Sequence, residues 1–482
     1  MFSLLIPASL GAGRGRCLTF ALRSFLIFQL SLLSTGCGTL WTSKNQYVGT
    51  DKMLARGDIS SAKKQIEKSR FLHYQNKDRA LYNLDIGLLQ HYLGTHEASN
   101  LSLQKAEEAM DAAFVKSISR GATSLLLNDN VLTYAGEDYE NIYVNIFKAL
   151  NYLALDQFDE AFIEIRRIDE KLKVLESRYW KLAQKYNEAS EMDEPFKIGT
   201  NRFQNSALGR WLSLLIYRAE GRFDEAAIDL KKIDLARALQ PDLYNFKTPD
   251  FSSALKPPAP GTVRVSFLGL TGQAPEKRAN TYWIHTQANQ LFIARSSEKR
   301  YGGQQYNLPQ TIFWPGIEPG YTFKFQLPTL QKRGTKTYAI GIKIDGKRGP
   351  WLTQIESLEN SAEAAFEIQR PLIYLKTISR AVTKGVAAMQ VQKAAEAKWG
   401  ESQSLLTGLL AGVGISITEN ADLRISRFFP ARASIAEIDL APGTHQIEFE
   451  YYGDGNILLH TDTQTVQIRE NGLNLIESFY LN

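Results

Sequence analysis

Cysteine is scarce. Cys17 and Cys37 are the only two in 482 residues, so no disulfide scaffold can hold the fold. Glycine (34) and proline (16) are too few for a collagenous or disordered chain. No apolar run approaches the roughly 20 residues that span a bilayer as a helix, and a mean hydropathy of -0.25 excludes a polytopic membrane protein. Nor does one charge dominate: 56 Lys and Arg stand against 51 Asp and Glu, without the clustered basic excess of a nucleic-acid-binding domain. Signatures of catalysis are missing as well. There is no HExxH, no GxSxG elbow and no P-loop, and Gly412-Val-Gly414 does not complete a dinucleotide-binding pattern. His91 and His96 are five apart, off a common helical face, which predicts no zinc site. Ser60-x-x-Lys63 and Ser61-x-x-Lys64 have the spacing of a serine–lysine pair, but no Ser-Asp-Asn or Lys-Thr-Gly follows, and a solvated helix face explains them.

What is present begins at the N-terminus. Phe25–Leu33 is an apolar run preceded by Arg14, Arg16 and Arg23, with no acidic residue before Asp51. A basic region followed by 7–15 apolar residues is a secretory signal, and it is too short to cross a bilayer. Ser34-Thr35-Gly36-Cys37 follows and resembles the lipobox of bacterial lipoproteins. An ordinary secretory peptide with an incidental cysteine is the alternative. The resemblance implies that residues 1–36 are removed, that Cys37 carries a diacylglyceryl group, and that 37–49 is a tether. Gly38, where aspartate would retain the protein at the inner membrane, implies an outer-membrane location on the periplasmic face. Each buried methylene of an acyl chain contributes about 0.8 kcal/mol, and two chains give stable anchoring.

Residues 50–255 read as paired helices. The clearest segment is Ala149-x2-Tyr152-x5-Phe158-x2-Ala161-x3-Ile165-x2-Ile168. A second copy runs Leu214-x2-Tyr217-x5-Phe223-x2-Ala226-x3-Leu230-x2-Ile233, and weaker copies centre on Ala62 and Ser99. Small residues let antiparallel helices approach while large apolar ones fill the groove. The spacing resembles the tetratricopeptide (TPR) repeat. The intervals between Ala62, Ser99, Ala161 and Ala226 depart from its 34-residue period, so extra helices are expected, one around Leu172–Tyr186. An irregular bundle is the alternative. A TPR-like face would bind a partner, with Tyr152, Phe158, Arg166, Arg167, Tyr217 and Phe223 as its candidate contacts.

Beyond Lys256–Gly261 (KPPAPG), a linker, the texture turns to strands over 262–482. Thr262–Leu270, Thr281–Thr286, Leu291–Ala294, Tyr321–Leu327, Thr337–Ile344, Ile435–Leu440, Gln446–Tyr452, Leu458–Gln467 and Leu473–Leu481 are the candidates. Asp345-Gly346 is a hairpin turn, and the Pro442-Gly443 turn resembles that of small β-sandwich modules. A helical insertion is expected at about 362–418, broken at Pro371, with a row of Arg370, Lys376, Arg380, Lys384 and Lys393 on a solvated face. Leu405–Ile417 is apolar but too short to span a membrane. Glu137, Asp138 and Glu140 gather before a helix, where acidic residues favour its N-terminal dipole. The fold class is α+β: TPR-like helices, then a β-rich region with inserted helices.

Several blocks in order resemble an uncharacterised family of TPR-like bacterial lipoproteins: the lipobox, Gly136-Glu-Asp-Tyr-Glu140, Arg166-Arg167, Arg380-Ala-Val-Thr-Lys384, Ala421-Asp422-x-Arg424 before Phe429-Pro430, and Leu440-x-Pro-Gly443-x-His445. The chain departs from that pattern at Ser426 and Arg427, where the family usually carries Trp. The resemblance implies work in the cell envelope. The expectation is a non-enzymatic, membrane-anchored scaffold or regulator with a protein partner, no cofactor, no metal and no nucleic acid. A peptidoglycan- or glycan-acting enzyme and an accessory of a secretion or surface-appendage machine are the alternatives.

Overall fold

A computed structural model of the chain describes residues 44–120, 129–189, 203, 205–295, 311–314, 316–399 and 420–482. The expected signal segment 1–36, Cys37 and the apolar run Leu405–Ile417 lie outside them. The helical half comprises α1 (Thr50–Leu54), α2 (Ile59–His73), α3 (Arg79–Tyr92), α4 (His96–Arg120), α5 (Asp138–Ala154), α6 (Phe158–Ala189), α7 (Ala207–Ala219) and α8 (Phe223–Leu239). Successive pairs are hairpins closed by a residue in the left-handed region: Gly57 (φ 74), Gly94 (φ 71), Asp156 (φ 58) and Gly221 (φ 72). Glycine takes that helix-ending conformation without a Cβ clash. Asp156 takes it while its carboxylate meets Arg469 at 2.8 Å.

Ala62, Ser99, Ala161 and Ala226, each the fourth residue of the second helix in its hairpin, are all fully buried. The unequal intervals in the sequence thus mark one structural position, with length variation placed elsewhere. Part of that variation is α6 itself. Leu172–Tyr186, expected as a separate helix, is the continuation of α6, a single helix of 32 residues. No glycine or proline interrupts Phe158–Ala189, so nothing ends the helix early.

The strands are β1 (Val263–Thr271), β2 (Glu276–Gln287), β3 (Gln290–Arg295), β4 (Thr311–Phe313), β5 (Thr322–Gln331), β6 (Ala339–Ile344), β7 (Lys347–Trp351), β8 (Thr353–Ser357), β9 (Arg432–Leu440), β10 (Gly443–Tyr452), β11 (Leu458–Ile468) and β12 (Asn474–Tyr480). They make three sheets, ordered β12-β1-β9-β8, β11-β10-β6-β7 and β4-β3-β2-β5. Strand alternation assigns the faces of the first sheet. Val265 and Phe267 of β1 pack on the second sheet with Ile342 and Phe449, while Leu268 and Leu270 join the helical core. Helices, first sheet and second sheet are therefore stacked layers, and Ser43–Asn482 forms one compact unit. The third sheet packs Ile284, Phe323 and Phe325 against Tyr374, Ile378 and Ala381 of α9 (Leu358–Trp399).

Three further expectations are corrected. The helix α9 is continuous through Pro371. A mid-helix proline costs about 3 kcal/mol, which buried Phe366, Ile368, Leu372 and Ile378 on both sides of it offset. On the same helix Arg380 is buried rather than solvated. Finally, the fold starts before residue 50: Tyr47, assigned to the tether, is a core residue because its ring packs on Phe428 and its hydroxyl reaches Asp85.

The shared small-residue position yields a direct prediction. Ala161→Leu and Ala226→Leu should each destabilise the protein by about 1–3 kcal/mol in urea unfolding, as overpacking does. Ala154→Leu, at an exposed position of α5, should change little.

Candidate functional site

The six expected contact residues divide. The Arg166 guanidinium stands 4.5 Å from the ring centroid of Phe162. Phe162 meets Tyr217 edge-on at 4.9 Å, and Arg222 covers Tyr217 at 4.6 Å. This cation–ring ladder joins the α5–α6 hairpin to the α7–α8 hairpin, each cation–π contact contributing about 0.5–1 kcal/mol where exposed. Phe223 and Ile163 lie exposed on the same pair of outer helices. Tyr152 and Phe158 flank the α5–α6 turn and are half-buried against the core. Arg167 turns inward to Glu164 (3.1 Å) and Glu107 (3.6 Å). Burial works to raise the Glu107 carboxyl, yet the Lys171 and Lys148 ammonium groups outweigh it and hold it at about 2. Sequence reasoning missed Phe162 and Arg222. The spacing of Phe162 and Arg166, four apart on one helix, was the available signal for the former.

The opposite side of the hairpins is not open. The inner helices α3, α5 and α7 are buried along most of their length. Against α3 and α5 lies Asn420–Pro430, an irregular strap without helix or strand, in which every residue from Arg424 to Pro430 is buried. Irregular backbone needs partners for its polar groups wherever water is excluded. Here Tyr47 and Tyr92 donate to the carbonyls of Ile425 (3.1 Å) and Phe428 (2.9 Å). Asn130 donates to the Asn420 and Ala421 carbonyls, and Arg333 to that of Arg427. Arg424 bonds Asp422, Asp78 (3.0 Å) and the carbonyls of Leu132 and Asp129. Ser426 and Arg427 both have dedicated partners. The Ser426 amide donates to Glu140 and its hydroxyl to Asp85, each at 2.6 Å. Arg427 pairs with Glu276 at 2.6 Å.

Buried carboxylates recur along this seam. Asp85 of α3 accepts from Tyr47, Tyr74 and Ser426. Burial still pushes its carboxyl up to about 7, against the pull of those hydroxyls. Glu140 of α5 accepts from the Tyr134 hydroxyl (2.6 Å) and the amides of Glu137 and Ser426. Burial, then the charge of Glu137, push it to about 8. Glu356 of β8 accepts from Tyr143 (2.6 Å) and from the Leu208 amide (2.8 Å) in the first turn of α7, where the helix dipole favours an anion. The acidic cluster expected at a helix N-terminus is at one, with Glu137 capping α5. It also holds the strap.

Blocks far apart in the sequence meet here. A cavity of about 180 Å³ is lined by Gly136, Asp138, Lys277, Arg380, Asp422 and Arg424 among others. Among its buried charges, Lys277 pairs with Glu137, and Arg424 with Asp422. The Pro-Gly turn block lies elsewhere, where His445 bonds Asp345 (2.7 Å) and the Ala441 carbonyl. His91 and His96, separated by the α3–α4 turn, are brought together on Asn151 Oδ1, at 2.8 and 2.9 Å. Glu477 faces the other nitrogen of His91 at 2.8 Å. Burial disfavours the imidazolium, but that carboxylate and Asn151 raise His91 above its ordinary value. Among the described residues no His, Cys, Asp or Glu group is arranged to hold a metal ion. No described helix is long and apolar enough to cross a membrane. The chain matches no protein-family model, no curated protein and no solved structure.

The raised carboxyls set a pH dependence. The folded state keeps protons on Asp85 and Glu140 up to about pH 7 and 8, whereas the unfolded chain releases them near 3.8 and 4.5. The contribution of these two groups is therefore greatest below the unfolded values and falls as pH rises through this window. Thermal midpoints of the wild type should drop from pH 5 to pH 9. In an Asp85→Asn, Glu140→Gln double variant the drop should be clearly shallower.

Proposed function

We propose that this protein is a lipid-anchored envelope lipoprotein, held at the periplasmic face of the outer membrane, that acts without catalysis as a scaffold or regulator for another envelope protein. The lipobox ending at Cys37 supports the anchor. Four hairpins sharing one small buried position support reading the helical half as TPR-like and the chain as resembling TPR-like lipoproteins. The observation that carries the binding role is the division of the hairpins into two faces. The inner side of α3 and α5 is occupied by the chain's own strap, while the Arg166–Phe162–Tyr217–Arg222 ladder, running from α6 across the end of α7 to the α7–α8 turn, lies beside exposed Ile163 on α6 and Phe223 on α8. Aromatic and arginine side chains of this kind are the usual anchors of protein interfaces. The carboxylates that could serve an acid–base reaction are instead engaged in holding the strap and the seam, which favours binding over chemistry.

A photoreactive residue at position 163 or 223 of the full-length protein should give one recurrent crosslinked envelope protein in cells. Arg166→Glu with Tyr217→Ala should abolish it without loss of folded protein. Crosslinks that are absent, or indifferent to those substitutions, contradict the role. Cys37→Ala should abolish labelling with a palmitate analogue and release the protein from the outer-membrane fraction.

A further inference from the structure

The hydrogen bonds of Asn151 dictate where its neighbours carry protons. Ser99 donates its one hydroxyl proton to the Gly87 carbonyl at 2.7 Å, so towards Asn151, at 2.8 Å, its oxygen can only accept. That contact therefore belongs to Asn151 Nδ2, which also donates to Asn100 Oδ1 at 2.9 Å. Asn151 Oδ1 is then the atom that faces both histidines. An oxygen acceptor requires a proton on Nδ1 of His91 (2.8 Å) and on Nδ1 of His96 (2.9 Å). His91 has one nitrogen left. Its Nε2 stands 2.8 Å from Glu477 Oε1, and a lone pair facing a carboxylate at that distance needs a proton between them. The pair thus holds one proton more than a neutral imidazole beside a carboxylate.

This proton joins distant parts of the chain. His91 lies near the end of α3, its ring against Phe147 (4.9 Å), Tyr92 (5.4 Å) and His96 (5.8 Å). Glu477 lies in β12, the edge strand of the first sheet. The two side chains differ in freedom, that of His91 being 2% exposed and that of Glu477 22%. Both border a cleft of about 480 Å³, lined also by His96, Asp156, Arg469 and Phe479. The other charges around the cleft have partners of their own. Asp156 pairs with Arg469 at 2.8 Å, and Asp462 of β11 accepts from Ser478 and Gln464. Phe147 and Asn151, facing the ring from α5, carry no charge. Burial opposes the imidazolium, but the Glu477 carboxylate and Asn151 hold His91 above its ordinary 6.5.

We propose that the proton shared by His91 and Glu477 is a latch that ties the helical layer to the edge strand of the first sheet and releases it when pH rises. Once the proton is lost, two acceptors face each other with nothing between them. His91 is enclosed, so Glu477 is the side that turns away, into the cleft, and β12 parts from the end of α3. The sign follows from the raised imidazolium. The latch contributes fully below 6.5, the unfolded value, and its contribution is lost as pH rises through the higher folded value. The device sets how firmly the hairpins are held to the sheet, whatever their outer face binds.

Nuclear magnetic resonance of the protein with ¹⁵N-labelled histidine reads the proton. Both ring nitrogens of His91 should be protonated at pH 6, and the ring should titrate above 6.5. In Glu477→Gln it should titrate below 6.5, because burial is then unopposed by a carboxylate. Hydrogen exchange reads the latch. Corrected for intrinsic rates, the amides of 474–479 should exchange about tenfold faster per pH unit above that titration, as release of one proton requires. Glu477→Gln and His91→Gln each supply an amide that bonds the partner without a titrating proton, so either should remove the pH step. If one of them fails to fold, the other decides. The Asp85→Asn, Glu140→Gln double variant, which removes the protons of the polar seam, should retain the step. A neutral His91 at pH 6, a titration unmoved by Glu477→Gln, or exchange of 474–479 without a pH step would each overturn the proposal.

Discussion

Ser426 is held by two carboxylates at once, Glu140 on its amide and Asp85 on its hydroxyl, and the arrangement of the molecule depends on that clamp. Both acids lie in inner helices, in separate hairpins, and both are fully buried. A buried carboxyl group left without a hydrogen-bond partner costs about 1–3 kcal/mol, so each acid needs its partners, and Ser426 supplies one to each. Without the strap, α3 and α5 would keep acids deprived of a donor and a channel open to water. With it, the hairpins and the first sheet share one hydrophobic core reaching from Tyr47 to Leu481. Chain segments that alternate between helical and strand texture are thus joined into one body by a length of chain that is neither.

Much of the architecture was legible. The buried alanines and Ser99 showed through because close helix approach admits only small side chains, whatever the distance between copies. The hairpin turn at Asp345-Gly346 and the alternation in β6 and β10 showed through because a half-buried strand leaves a period of two. What failed has a common cause. The strap was marked only by the Ala421-Asp422-x-Arg424 block, with no structural role, because the partners of Arg424, Ser426 and Arg427 are Asp78, Asp85, Glu140 and Glu276, more than 140 residues away. Arg380 failed likewise, and Pro371 is tolerated through tertiary packing that no local pattern reports. Tyr47 was lost to the tether because one aromatic residue in a short polar segment carries no periodicity.

Of the candidate contacts, Arg166 and Tyr217 were readable as surface residues beside a repeat. Their union through Phe162 and Arg222 required the hairpins to be set side by side. The occupied inner face gives the functional reading its direction, since a groove already filled by its own chain leaves the outer helices for a partner. The ladder lies on the helices, and a buried polar seam joins α3 and α5 to the strap.

The central claim is that the strap is part of the core rather than a loop laid over it. Hydrogen exchange under native conditions tests this most directly, because it reports the opening free energy of each segment. The amides of Arg424 and Ser426 should exchange as slowly as those of β1 and α5, through the same global opening. Exchange of 424–428 in a faster, separate step, with the helices still protected, would contradict the account.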